Sequence, residues 1–214
     1  MGISALRLLE VIERVTRKIA PGPAPSFNEA HVVKALEIIG KSGNVGRIKL
    51  SKDLGLGEGT TRTLLKHLKN EGVTQSSRSG ISFSEEGKKL FSDLQSKLSE
   101  GVEVPSSPLT VGAFNIAVLV RDSAQAVGSG MEQRDIAIKS GASGATTLVF
   151  SGNTLSMPTC EQNVSGSMPM LHEELVTKLN PNQNDVIIVG SGETRKLAEI
   201  GAKMAAIKLL KNNN

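Results

Sequence analysis

One stretch of this chain, Gly46 to Ser84, constrains its fold more than any other: GRIKLSKDLGLGEGTTRTLLKHLKNEGVTQSSRSGISFS. Gly55, Gly57 and Gly59 mark a tight reversal between two short apolar-faced segments, as a chain needs where two packed helices follow each other. Before the reversal, GRIKL reads as a short strand. SKDLGL reads as a short helix capped by Ser51, with Leu54 and Leu56 as apolar anchors. After it, the spacing predicts a helix over Thr60–Asn70. Thr61, Leu64, Leu65 and Leu68 recur at intervals of three and four and form its buried face. Glu71-Gly72 stops that helix. Val73 to Gln75 and Ile81 to Ser84 then alternate as two strands around a polar tip, Ser76 to Gly80.

The wet face of the second helix carries Arg62, Thr63, Lys66 and Lys69. A helix with a Leu face and an Arg/Thr/Lys face can lie in a DNA major groove. Its polar side chains then meet base edges and its cations meet phosphates. Thr60 stands at the helix start, where a phosphate would be contacted, and Arg78 sits on the hairpin tip. Taken alone, such a helix is an ordinary solvated surface helix. The order of all the pieces within one stretch is what distinguishes it.

That order resembles the winged helix-turn-helix domains of prokaryotic transcription regulators. The resemblance rests on GRIKLSKDLGLGEGTTRTLLKHLKNEGV and on the following SRSGISFSEEGKKLF, and it spans about Asn28 to Leu98. It implies a DNA-binding module. Winged helices also serve as protein-interaction modules, so the fold alone does not fix the role.

Charge is distributed accordingly. The net charge is +4; residues 1–104 hold 16 Lys and Arg against 12 Asp and Glu, and residues 105–214 hold nine of each. All the excess positive charge accompanies the helix-turn-helix half, where a polyanion would bind. There is no Trp or Tyr and there are five Phe. Phe83 and Phe91 are better placed as core, so few aromatics remain on which single-stranded bases could stack. Duplex DNA is the expected polymer. The lone Cys160 excludes an internal disulfide and fits a reducing cytoplasm. His31, His67 and His172 are scattered without metal-ligand spacing, so no metal and no cofactor is expected. No apolar run has the length of a membrane span, and the N-terminus lacks a signal-peptide pattern.

Residues 1–20 read as an amphipathic helix with Leu8, Leu9, Ile12, Val15 and Ile19 on one stripe, closed by the breaker Pro21-Gly22-Pro23-Ala24-Pro25. The stripe either docks on its own chain or pairs with a second copy; a homodimer is the expected assembly. The winged-helix domain is placed at 26–99. Ser26 and Glu29 form a capping box at its first helix, and Leu90, Phe91, Leu94 and Leu98 form the stripe of its last. Residues 99–108, rich in Ser, Pro and Glu, read as a linker.

Residues 109–211 change character. FNIAVLV (Phe114–Val120), ATTLVF (Ala145–Phe150) and DVIIV (Asp185–Val189) are apolar runs of strand length, and helical patterns lie between and after them. The expected fold is α/β, with α+β as its variant: a winged helix followed by a small domain with a three- to five-stranded sheet. Two Gly-rich loops are candidate ligand sites. Gly190-Ser191-Gly192 leads from a strand into a helix N-terminus, where an anion is favoured; taken alone it is more often a tight strand–helix turn. Gly128-Ser129-Gly130 runs into Arg134 and Asp135, and Arg121 with Asp122 follows another strand. These charges are either salt-bridged scaffold or ligand contacts. In a parallel sheet both loops would lie near strand C-terminal ends, where such folds bind ligands. The GMEQRDIAIKSGASGATTLVF stretch is similar to the C-terminal domain of archaeal two-domain proteins that pair a winged helix with a domain of unknown function. That resemblance implies a transcription regulator and supplies no ligand and no catalytic residue.

The reading is a cytoplasmic, non-enzymatic regulator of transcription. Thr60, Arg62, Thr63, Lys66, Lys69 and Arg78 bind duplex DNA, and the C-terminal domain senses a small molecule or mediates assembly. Two rivals stand beside it: an enzyme acting on a phosphorylated or nucleotide ligand in the second half, and a winged helix used for protein interaction.

Overall fold

In the computed structural model, which describes residues 3–18, 24–158 and 163–213, the N-terminal stripe is buried on its own chain. Helix α1 (Ile3–Thr16) packs against α2 (Glu29–Ser42) and α4 (Glu58–Asn70). Leu8, Leu9, Val11, Ile12 and Val15 are all buried. Arg14 pairs with Glu71 at 2.9 Å, and Arg7 pairs with Glu86 at 2.7 Å. His67 Nδ1 lies 2.7 Å from the Val15 carbonyl. A carbonyl only accepts, so the ring proton is on Nδ1 and satisfies one of the orphan carbonyls at the end of α1. Ile19, Pro21, Gly22, Pro23 and Cys160 lie outside the described residues.

Two compact units divide the chain, Met1–Gln95 and Ser96–Asn214. The first contains α1, α2, α3 (Arg47–Leu54), α4, a hairpin of β1 (Thr74–Ser77) and β2 (Gly80–Phe83), and most of α5 (Glu85–Lys97). Its core is Val32, Val33, Leu36, Ile39, Leu50, Leu54, Leu64, Leu68 and Leu94. Three local expectations are corrected. GRIKL is helical: Gly46 is the N-cap of α3, and Leu50 N–H donates to Gly46 O at 3.0 Å. The strand shrinks to Val45, whose N–H and C=O both bond Ile81. Ser51 is therefore inside α3, with its hydroxyl donating to Leu56 O at 2.7 Å. The first helix of the domain is capped by Asn28, in a reciprocal box with His31, rather than by Ser26.

The second unit is a five-stranded sheet in the order β3 (Val102–Glu103), β4 (Phe114–Val120), β7 (Val186–Gly192), β5 (Gly144–Ser151), β6 (Thr154–Ser156). Every ladder is antiparallel, the α+β form of the expectation. The parallel sheet is not formed, because β7 returns between β4 and β5 and runs against both. The 99–108 segment, expected as a linker, supplies edge strand β3. One face of the sheet carries Ala117, Leu119, Leu148, Phe150, Ile187 and Val189 against α7 (Val164–Ser167) and α8 (Pro169–Leu179). The other is covered by α6 (Met131–Lys139) and α9 (Arg195–Asn212).

The Gly190-Ser191-Gly192 loop is also corrected: it is buried strand, with Gly190 and Ser191 paired on both sides and Gly192 paired with β4. A Cβ at Gly190 would come within 2.4 Å of Ala198 O and 2.7 Å of Ala202 N, and one at Gly192 within 2.7 Å of Ala198 N. These glycines let α9 lie directly on the sheet. Ser191 points to the opposite face, where its hydroxyl donates to Asn115 Oδ1 at 2.7 Å and accepts from Val111 N–H at 3.2 Å. The glycines do not form the N-terminus of α9, which starts only at Arg195 and is capped by Thr194.

Candidate functional site

Helix α4 owes its orientation to Thr61, Leu64, His67 and Leu68, all buried. His67 replaces Leu65 on the inner face; Leu65 is half-buried and borders a groove. This inner face turns Arg62, Thr63, Lys66 and Lys69 outward, all of them exposed. Thr63 donates its hydroxyl to Gly59 O at 3.2 Å, which leaves its oxygen to accept. Thr60 lies in the first turn, half-buried, and the N-cap Gly57 supplies no side-chain cap to the first-turn N–H groups. A helix start left in this state favours an anion.

The groove of about 400 Å³ lies between α4 and the hairpin. Arg62, Lys66 and Lys69 line it from α4, Ser76, Ser77 and Gly80 from the hairpin, and Arg47 from the start of α3. Arg47 is absent from the sequence expectation because GRIKL reads there as a strand. Gly46 followed by a cation and a Leu at helical spacing was the available signal. The hairpin turn is tighter than expected. Ser77 pairs with Gly80, so Arg78 and Ser79 alone form the tip. Ser79 is pinned by Asn44 Nδ2 at 2.6 Å, and Arg78 is exposed.

Arg7, Arg14, Arg17, Lys88 and Lys89 are held in ion pairs with glutamates. Among the described residues, Arg47, Arg62, Lys66, Lys69 and Arg78 are in no ion pair. Four of these cations, Arg47, Arg62, Lys66 and Lys69, border one groove whose lining holds no carboxylate, and Arg78 stands on the hairpin tip; their counter-charge comes from outside the chain.

In the second unit the expected ligand residues separate. Gly128, Ser129, Gly130, Arg134 and Asp135 stay together around the start of α6, and Ser129, Gly130 and Arg134 line a cleft of about 390 Å³. Asp135 accepts from Arg134 Nε and Nη2 at 3.2 and 3.1 Å. Arg121 is placed as scaffold. Its Nη1 lies 2.7 Å from Asp185 Oδ2, with side-chain exposures of 31% and 3%, and donates to Asn180 O at 3.0 Å. Asp185 also accepts from the backbone N–H groups of Asp122 and Asn182, so this pair fixes the turns beside β4 and β7. Among the described residues, no group of His, Cys, Asp and Glu is placed to hold a metal ion, and no helix is long and apolar enough to cross a membrane.

Residues 32–98 match the family described as the CggR N-terminal DNA binding domain. Residues 111–209 match the Domain of unknown function (DUF4443). The first unit is thus a winged helix-turn-helix similar to a DNA-binding domain, joined to a domain similar to a family without an assigned role. Among solved structures, a hypothetical protein from the archaeon Pyrococcus horikoshii OT3 is similar at 27% identity, with a TM-score of 0.68; the match covers 84% of this chain and 92% of that one. No functionally curated protein matches the chain.

Proposed function

We propose that this chain is a DNA-binding regulator of transcription. Its winged helix (26–99, with α1 docked on it) reads duplex DNA. Its second domain (109–211) responds to a small molecule or holds copies together as a homodimer in the cytoplasm. The observation that carries this reading is the groove between α4 and the hairpin, bordered by Arg47, Arg62, Lys66 and Lys69, with Arg78 on the hairpin tip, none of them with an ion-pair partner among the described residues. Arg62 and Thr63 meet base edges, Lys66 and Lys69 meet phosphates, Thr60 meets the phosphate at the helix start, and Arg47 and Arg78 hold the flanking backbone. The chain acts by binding and carries out no reaction of its own.

The test is fluorescence anisotropy with a labelled duplex from the upstream region of its own gene, in excess random DNA, comparing the native chain with Arg62→Ala/Lys66→Ala. Circular dichroism checks that the variant is folded. Specific binding is expected, with a loss of about 10- to 100-fold in the variant. Equal affinity of the two proteins would remove α4 as the reading helix. Absence of duplex binding at low salt would turn the winged helix into a protein-interaction module.

A further inference from the structure

Thr147 is 3% exposed, and its Oγ1 has no hydrogen-bond partner. It lies on the lining of the cleft at the start of α6. Gly130 sits directly above it: a Cβ added at Gly130 would lie 3.5 Å from Thr147 Oγ1, and Gly130 itself has φ 78°. One turn further along α6, Gln133 is 1% exposed with both amide atoms unpartnered. Buried polar atoms without partners are rare in folded proteins, and a group that persists in that state points to a function. Here two lie on facing elements beside an open cleft.

We propose that this cleft binds a small organic anion, a single carboxylate or phosphate-monoester head on a short apolar body. Its Thr147 hydroxyl and the N-terminus of α6 take the head. The proposal rests on the reading of the second domain as the sensing half. Three further observations define the ligand. Helix α6 has Gly130 as its N-cap, with no side-chain cap; Ser129 Oγ accepts from Met131 N–H at 3.4 Å, and the other first-turn N–H groups and the dipole favour an anion at the cleft. Arg134 adds a cation to the lining, but Asp135 partly offsets it, and Glu132 is paired with Lys208 at 3.4 Å. The local positive charge is therefore small and suits one anionic group rather than a polyphosphate. Val111, Met131, Met157 and Pro158 give the walls an apolar part, beside Ser143 and Thr146. Val111 and Met131 are 68% and 54% exposed, and large apolar side chains left in water around a concavity are a ligand-site signature. The volume falls in the range of small-molecule sites, about 300–1,000 Å³.

The experiment is an amide-shift titration of the isotope-labelled full chain with hexanoate, hexyl phosphate, acetate and hexanol, each to about 10 mM, where weak fragments register. Hexanoate or hexyl phosphate is expected to shift Gly130, Met131 and Thr147 saturably, at least about 10-fold more tightly than acetate or hexanol. Which of the two binds more tightly identifies the head group. Thr147→Val is expected to weaken that binding about 5- to 10-fold while leaving the unfolding midpoint unchanged or higher, because it removes an unpartnered hydroxyl. Arg134→Gln weakens it as well. Hexanol binding as tightly as the anions, shifts centred elsewhere, no saturable shift, or unchanged affinity in Thr147→Val would each overturn the site. No duplex is present, so failure here leaves the DNA-binding reading intact. Duplex added afterwards tests the sensing role separately: an anion that binds without altering duplex affinity keeps the site and removes that role.

Discussion

At the scale of single residues, what a side chain lacks is as informative as what it touches. Thr61 is fully buried on the inner face of α4 with Oγ1 unpartnered. Thr61→Val is expected to raise stability by about 1 kcal/mol, read as a higher urea midpoint at unchanged slope, since a buried hydroxyl without a partner costs more than a methyl in its place. Gly190 is the opposite case. Gly190→Ala puts a methyl against the backbone of α9, 2.4 Å from Ala198 O, and is expected to lower stability by about 1–3 kcal/mol or more; an unchanged midpoint would mean that α9 can shift freely. These residues also show where sequence reading stops. Arg62, Thr63, Lys66 and Lys69 are legible because helical periodicity alone separates them from Leu64 and Leu68. Gly190-Ser191-Gly192 is not, because a glycine that makes room for a helix and one that cradles an anion are the same letter. The burial of Thr147 without a partner has no signature in sequence at all.

At the scale of elements, α1 is part of the first unit's core and no appendage. Ile12 is 1% exposed, and Ile12→Ala is expected to destabilise that unit by about 2–5 kcal/mol, measured by chemical denaturation. The amphipathic stripe was visible in sequence; its partner was not, because an apolar face seeks any complementary face and periodicity does not say whose. Helix α3 shows the converse: β-branched Ile48 and the cations around it suit a strand, and only the backbone bond from Leu50 to Gly46 decides for helix. The pairing of α1 with α5 carries a pH dependence. Bonds from Lys89 and Arg7 lower the Glu86 carboxyl below the usual carboxylate range, and Lys88 does the same for Glu85. A depressed folded value means stability that is present above the unfolded pKa and lost as pH falls through the folded one. Between about pH 5 and about pH 3, Glu86→Gln is expected to lose less of its unfolding midpoint than the native chain. The difference should shrink in high salt, because the pair is exposed. Equal acid sensitivity of the two proteins would show that the pair contributes nothing.

At the scale of the whole molecule, the charge asymmetry of the sequence becomes a quantity that can be measured. All the excess positive charge lies in residues 1–104, and within it five cations around the α4 groove are left without ion-pair partners among the described residues. Each phosphate neutralised releases counterions and contributes about 0.9 to the slope of log K against log salt. With Arg62 on base edges and the other four on phosphate, one chain on one half-site gives a slope of about −3.6, and a homodimer on two half-sites gives about twice that. The α1 stripe is used up within its own chain, so a dimer must form through another surface, and the salt slope asks whether it does without presupposing where. The expected result is the steeper slope, with two chains per duplex by sedimentation and half-sites one helical turn apart. A slope of about −3.6 with one chain per duplex would remove the homodimer and leave the DNA-reading face in place. Replacing Lys69 with Ala should then reduce the magnitude of the slope by about 1 in the monomer and about 2 in the dimer, with nearly equal loss on specific and random sequence. Loss confined to the specific duplex would instead make Lys69 a base-reading residue and turn α4 about its axis in the groove.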